Sequence, residues 1–362
     1  MNPVKNPIVL VAPLDWGLGH TTRCIPIIRE LIKQGCRVLI AGNAVQKALL
    51  RNEFPQAEFL DLFGYNINYS KSQWALPLKI FSQSTKILFA IKKEREWLQQ
   101  IIKQYEPDAV ISDNRYGLTH PGIYTVFITH QLFVQAPFFR KRMQKWNYKY
   151  IQQFSECWVP DWKSDDNFSG ELSHPEKLPR IPVQYLGPLS RLTDLNLPEE
   201  KNHLLILLSG PEPQRTILEN KIVQEIGQYP YTATVVRGLP IAKTIIPSTN
   251  MIQFYNHLPT EELNKEIARA EFVIARAGYT TIMDVLQLKK KSILVPTPGQ
   301  TEQKYLAAYL LKKQWIFSVS QKKFSMHSAL QQAKDFQYRL PPVQPGILSG
   351  VINQFLQKLE IQ

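Results

Sequence analysis

Short, wholly apolar runs recur along the chain, each followed by a polar turn and then by apolar residues at helical spacing. Residues 8–12 (IVLVA) form the first, 204–208 (LLILL) restart the pattern, and 272–275 and 292–295 continue it. Runs this short, bounded by turn residues and unbroken by polar positions, suit strands buried on both faces of a parallel sheet. Further strands are predicted at 37–41, 107–113, 125–129, 156–159, 183–186, 231–236 and 251–255. Between them, 24–34 places Ile25, Ile28 and Ile32 on one helical face and closes at Gly35. Longer amphipathic helices are predicted at 78–105 and at about 213–227, and a last one at 348–359. The pattern divides into a strand-first α/β unit at 1–190, a polar linker at 191–202, a second unit at 203–346 and a C-terminal helical segment at 347–362.

The turns carry the chemistry. The strand at 272–275 runs into Arg276-Ala277-Gly278 and a helix marked by Ile282, Val285 and Leu286, with Lys289, Lys290 and Lys291 at its C-terminus, where cations suit the helix dipole. The strand at 292–295 stops at Pro296-Thr297-Pro298-Gly299, and a helix starting near Thr301 carries Glu302 and Gln303. Adjacent strands of an open parallel sheet deliver such loops, and the helix N-termini behind them, to one crevice, where unpaired N–H groups favour phosphate. Gly278 lets a backbone approach a ligand, Thr280 or Thr281 can cap the helix and donate to phosphate, and Asp284 can accept ribose hydroxyls. An ordinary βαβα unit with a capped helix fits the same pattern.

The first strand opens onto Gly17-Leu18-Gly19-His20. Two glycines without a third, and no acidic residue closing the second strand, exclude the dinucleotide fingerprint of a Rossmann dehydrogenase. His20 can take a proton near neutral pH, steady a phosphate when charged, or simply cap a helix. Asp113 ends a strand as a catalytic group or a turn cap, and His130-Gln131 follow the next one. Ser209-Gly210 follow the strand that opens the second unit and can offer a hydroxyl and an N–H to phosphate.

The stretch R-A-G-Y-T-T-x-x-D at 276–284, followed by P-x-P-G-Q-T-E-Q at 296–303, resembles the donor-sugar-nucleotide signature of GT-B glycosyltransferases. It is most similar to family 28, the peptidoglycan N-acetylglucosaminyltransferase-like group. That family commonly has Glu where Asp284 stands and often His near Gly299 or Gln300. The G-L-G-H of 17–20 resembles its acceptor-side loop. The resemblance implies an α/β GT-B fold, two Rossmann-like domains facing each other across a cleft. It implies an inverting sugar transfer from a nucleotide-sugar donor, UDP-linked, to a hydroxyl acceptor, with His20 or Asp113 as the base. The donor would meet Ser209, Gly210, Arg276, Gly278, Thr280, Thr281, Asp284, Glu302 and Gln303; Gly17, Gly19, His130 and Gln131 would line the acceptor side. No strict D-x-D triplet occurs, so neither a metal nor a cofactor is expected. A sugar-nucleotide 2-epimerase or hydrolase, or a nucleotide-sugar-binding protein without activity, would share the scaffold.

Composition adds three constraints. With 362 residues and 44% hydrophobic content, two cores can be buried. Cys24, Cys36 and Cys157 are odd in number and lack C-x-x-C spacing, which indicates neither a disulfide framework nor a zinc site. The net charge of +13 is spread over both halves and suits nucleotides, anionic lipid or nucleic acid. Segment 133–150 concentrates Arg140, Lys141, Arg142, Lys145 and Lys149 with Phe138, Phe139, Trp146 and Tyr148 and no acid. It reads as an interfacial segment for an anionic membrane surface or as a solvated helix. Helix 78–105 with Trp74, Phe81, Phe89 and Trp97 allows the same two readings. No nucleic-acid-binding module accompanies these cations, so nucleic acid is not expected. The apolar run near the N-terminus is too short for a signal peptide or a span, making a cytoplasmic, peripherally membrane-bound protein the expectation. Nothing in the pattern fixes the oligomeric state.

Overall fold

The computed structural model describes residues 6–65, 76–135, 139–342 and 344–360, with the side chains of 76–85 left out. Trp74 and Phe138 lie outside the described residues, as do the side chains of Lys79 and Phe81. The chain forms two units: Met1–Leu189 with Pro345–Gln362, and Ser190–Gln344.

The first unit runs β1 (Ile8–Pro13), α1 (Leu18–Lys33), β2 (Arg37–Gly42), α2 (Ala44–Glu53), β3 (Glu58–Asp61), α3 (Leu76–Tyr105), β4 (Ala109–Asp113), β5 (Tyr124–Ile128), α4 (Arg140–Ile151), β6 (Glu156–Val159) and β7 (Val183–Tyr185). All strands are parallel, in the order β3-β2-β1-β4-β5-β6-β7. The six residues of β1 are all buried, as strands covered on both faces require. Leu10, Ala12, Leu39, Ala41 and Val110 meet Leu98 and Ile101 of α3 in one core cluster. Along α3 the described side chains include a core stripe: Ile91, Leu98 and Ile101 are buried, whereas Leu88 and Phe89 are exposed. Between β6 and β7 the 160–182 region contains only a 3-10 turn, at Gly170–Leu172. Asp161 organises it by accepting from the backbone N–H of Trp162, Phe168 and Ser169.

The second unit repeats the plan with β8 (Leu204–Leu207), α5 (Gln214–Ile226), β9 (Ala233–Val236), β10 (Ile252–Tyr255), α6 (Thr260–Arg269), β11 (Phe272–Ala275), α7 (Tyr279–Gln287), β12 (Lys291–Leu294), α8 (Thr301–Lys312), β13 (Phe317–Ser318) and α9 (Met326–Asp335). Its parallel order is β10-β9-β8-β11-β12-β13. The chain ends in α10 (Leu348–Glu360), which packs in the first unit. Ser349 donates to Glu30 of α1 (2.7 Å), Lys358 to Glu156 of β6 (2.5 Å), and Phe355 meets Trp158 edge-on with centroids 5.3 Å apart.

Three local expectations change. The first helix begins at Leu18 instead of residue 24, after Gly17 turns the chain at φ +83°, so His20 sits in a helical first turn instead of a loop. Pro26 falls inside α1, where its missing N–H removes one backbone bond. At α7 the N-cap is Gly278 and no side chain caps it, so Thr280 and Thr281 lie within the first turn and do not cap. Lys290 does not serve its own helix dipole. It is buried, and its Nζ donates to the carbonyls of Ala268 (2.6 Å) and Ala270 (3.2 Å) at the end of α6 and to Glu199 (2.8 Å).

Candidate active site

In each sheet the strand order reverses direction at one point, between β1 and β4 in the first and between β8 and β11 in the second. Loops leaving such a point diverge to opposite faces and open a crevice at the carboxyl ends of the strands. Both groups of chemically competent residues stand at these two points.

In the first sheet, Pro13 is in register with Asp113, and Asp113 with Ile128. That alignment brings His20, Asp113 and His130 together around a residue not singled out from the sequence, Arg23. Arg23 lies one turn after His20 on α1 and is buried. Its Nε donates to Asp113 Oδ2 (2.7 Å), its Nη2 reaches Asp113 Oδ1, and its Nη1 lies 3.1 Å from His130 Nδ1. His20 Nδ1 lies 3.1 Å from Asp113 Oδ1 and 2.9 Å from Arg23 Nη2. Burial would raise the Asp113 carboxyl, but Arg23 and His20 outweigh it and hold the group well below the usual carboxylate range. Burial and then Arg23 lower His20 below its ordinary value, with Asp113 pulling the other way. A helix N-terminus disfavours the imidazolium as well. His20 is therefore neutral at pH 7. Its ring is partly exposed, and no described residue partners its Nε2. Gly17 and Gly19 precede His20 on the chain, and Gln131, half-buried, receives Asn147 Nδ2 on its backbone carbonyl (3.3 Å).

Behind this cluster Arg115 braces the exit of β1. It is buried and donates to the carbonyls of Pro13 (2.9 Å) and Phe63 (3.0 Å) and to Glu94 of α3 (3.0 Å). Glu94 also accepts from Tyr65 Oη (2.8 Å) and the Gly117 N–H (2.9 Å), so its carboxylate is satisfied. The sequence shows neither residue as special, because their partners lie in other elements.

In the second sheet, Leu207 of β8 aligns with Ala275 of β11, and Ala275 with Leu294 of β12. Ser209-Gly210, Arg276-Ala277-Gly278 and the loop at 296–300 therefore leave side by side. Ser209 and Gly210 are exposed, and Gly210 has φ +99°, a conformation that favours glycine. A Cβ on Gly278 would meet no atom within 4 Å, so space stands open beside it. Arg276 is buried and donates to the carbonyls of Val295 (3.1 Å) and Gln214 (2.5 Å). Asp284 is half-buried on α7 and accepts from Ser190 Oγ (2.6 Å). Burial pushes its carboxyl up to about 6, against Ser190 and Arg191, which favour the ionised form. Glu302 lies in the first turn of α8, where an acid suits the dipole. Gln303 is committed to its own loop: its Oε1 accepts from the Thr297 N–H (2.8 Å) and its Nε2 donates to Gln300 (2.5 Å).

The two parallel sheets have the GT-B architecture, and comparison with known proteins identifies the chain as a glycosyltransferase. Residues 201–338 match the glycosyltransferase family 28 C-terminal domain. Within the class, this protein resembles family 28. An uncharacterized glycosyltransferase of Methanosarcina acetivorans is 23% identical over 322 residues, covering 81% of this chain and 80% of the relative. The Staphylococcus aureus UDP-N-acetylglucosamine–N-acetylmuramyl-(pentapeptide) pyrophosphoryl-undecaprenol N-acetylglucosamine transferase is 23% identical over 291 residues, covering 77% and 76%. Arabidopsis thaliana UGT89C1, solved with UDP-L-rhamnose, shares the fold with a TM-score of 0.60 at 10% identity over 98% of this chain and 94% of its own.

Proposed function

We propose that this glycosyltransferase moves a sugar from a UDP-linked donor to a hydroxyl acceptor with inversion and without a metal. The observation that carries the reading is the His20–Asp113 contact, fixed by Arg23. In the tautomer with the proton on Nδ1, His20 donates to Asp113, the contact between Nδ1 and Arg23 Nη2 carries no hydrogen bond, and Nε2 is left to accept. The acceptor hydroxyl gives its proton to Nε2, its oxygen forms the new bond to the anomeric carbon, and the bond to the diphosphate breaks with its electron pair on the leaving oxygen. One displacement inverts the anomeric centre. Asp113 is a positioning residue here, since both its oxygens are engaged by Arg23 and it is held ionised far below neutral pH. Leaving-group charge falls on the N-termini of α7 and α8, on Ser209 and on Arg276. Among the described residues no group of three His, Cys, Asp or Glu is placed to hold a metal ion. The UDP reading is supported by the donors named for the relatives above.

Calorimetric titration with UDP in the presence of EDTA tests the donor side. The protein should bind UDP under those conditions, and Asp284→Ala should weaken binding by about 1.5–3 kcal/mol, the worth of charge-assisted hydrogen bonds to the ribose. Unchanged affinity in a folded Asp284→Ala variant would remove Asp284 from the site, and binding that requires Mg²⁺ or Mn²⁺ would end the metal-free reading.

A second surface supports membrane attachment. At the start of α4, Phe139 is 76% exposed, and Arg140, Lys141, Arg142, Lys145 and Lys149 are all exposed. An aromatic beside clustered cations fits an anionic interface. Among the described residues no helix is long and apolar enough to cross a membrane. The protein should co-sediment with vesicles containing anionic lipid, not with neutral ones, and be released by high salt. Replacing Arg140, Lys141 and Arg142 by Glu should abolish sedimentation and leave UDP binding intact. Equal sedimentation of that variant would return α4 to a solvated helix.

A further inference from the structure

The exits of β8, β11 and β12 leave two deeply buried polar atoms without partners. Arg276 is 0% exposed; its two terminal nitrogens are used, but its Nε has no partner. Thr297 is 1% exposed; its backbone N–H is tied to Gln303, but its Oγ1 has no partner. A Cβ built on Gly210 would stand 3.4 Å from Thr297 Oγ1 and 3.9 Å from Arg276 Nε, so both atoms look onto the same spot. Gly210 is exposed and its φ of +99° resists any residue that would fill that spot.

Chemistry decides what belongs there. A guanidinium N–H can only donate, and a hydroxyl beside it has a hydrogen to offer, so the missing partner is an acceptor oxygen. Among the described residues, no carboxylate lies within salt-bridge distance of Arg276, which leaves a buried cation uncompensated. Burial lowers its pKa only to about 10, so the charge persists at neutral pH. A buried unpaired cation calls for an anion. We propose that Thr297 is a donor-phosphate ligand: its Oγ1, together with Arg276 Nε, holds an oxygen of the nucleoside diphosphate in the space that Gly210 leaves open. The inference rests on the nucleotide-sugar reading and adds to it a residue in a loop whose other polar groups hold the loop itself.

Titration calorimetry with UDP and with uridine, on the unaltered protein, Thr297→Val and Thr297→Ser, tests it. Val keeps the shape and removes the hydroxyl. Thr297→Val should weaken UDP about tenfold, leave uridine unchanged and melt no lower than the parent, because a buried hydroxyl without a partner has been removed. Thr297→Ser, which restores the hydroxyl, should recover most of the UDP affinity. If Thr297→Val binds UDP like the parent, or loses UDP and uridine alike, Thr297 is not a phosphate ligand. If the parent protein binds neither UDP nor dTDP, the nucleotide-sugar reading itself fails.

Discussion

Replacing His20 with alanine should lower kcat by about 10²- to 10⁴-fold, the usual worth of general-base assistance, and leave UDP affinity unchanged. The base must be neutral, and burial with Arg23 lowers the His20 pKa from 6.5. Activity should therefore be full at pH 7 and fall only as the pH drops through that lowered value, giving an acid limb below pH 6.5. His20→Gln separates the roles, since Gln keeps hydrogen-bonding capacity but cannot take the proton. Activity close to the parent in His20→Gln would make His20 a positioning residue. Asp113→Asn should be almost as damaging as loss of His20, because an amide at Oδ1 no longer selects the tautomer with Nδ1 protonated. If Asp113→Asn retains full activity, Arg23 orients the ring without Asp113.

The second large effect is on stability. Arg23→Met leaves the buried Asp113 carboxylate without its guanidinium, and breaking such a pair costs about 3–5 kcal/mol. In the parent protein the Asp113 pKa is held far down, so its stabilisation is present above the unfolded value near 3.9 and is lost as the pH falls toward the folded one. In Arg23→Met, burial without the cation raises the folded pKa instead. That variant should be least stable, relative to the parent, near neutral pH and should recover part of the deficit as the pH falls through the raised value. Urea unfolding at two pH values, followed by a probe in the first unit, reads this directly. Adding Asp113→Leu should restore part of the loss, since two apolar residues leave no buried charge. A single substitution as stable as the parent would mean that solvent, not Arg23, satisfies Asp113.

The donor-side residues were legible in the sequence to different depths. Gly278 has open space beside it, and Asp284 carries a half-buried carboxylate that accepts from Ser190. Gln303 reads as a donor contact, yet its amide straps the 297–303 loop, a role that depends on where the Thr297 N–H points. Thr297 itself reads as a turn residue between two prolines, and only the aligned strand ends bring its hydroxyl beside Arg276 and Gly210. On the first unit, His20 was legible as a candidate from its loop, but its helical position was not. Gly17 can start a helix as readily as it can lengthen a loop, and the apolar spacing of Ile25, Ile28 and Ile32 marks only the later turns.

The sequence by itself determined the strands and most helices, because each depends on local apolar periodicity and short-range turn chemistry, and its resemblance to family 28 implied the GT-B class. Strands buried on both faces have no polar alternative, so their short apolar runs admit one reading. The tertiary structure decided which side chains meet. Arg23 and Asp113 are 90 residues apart in sequence, as far as Ser190 and Asp284 are within a few positions. Their pairing follows from which strands are neighbours and in what register, and that is set by burial summed over the whole sheet. No local window of sequence contains that sum, so the roles of Arg23, Arg115 and Thr297 came only with the fold.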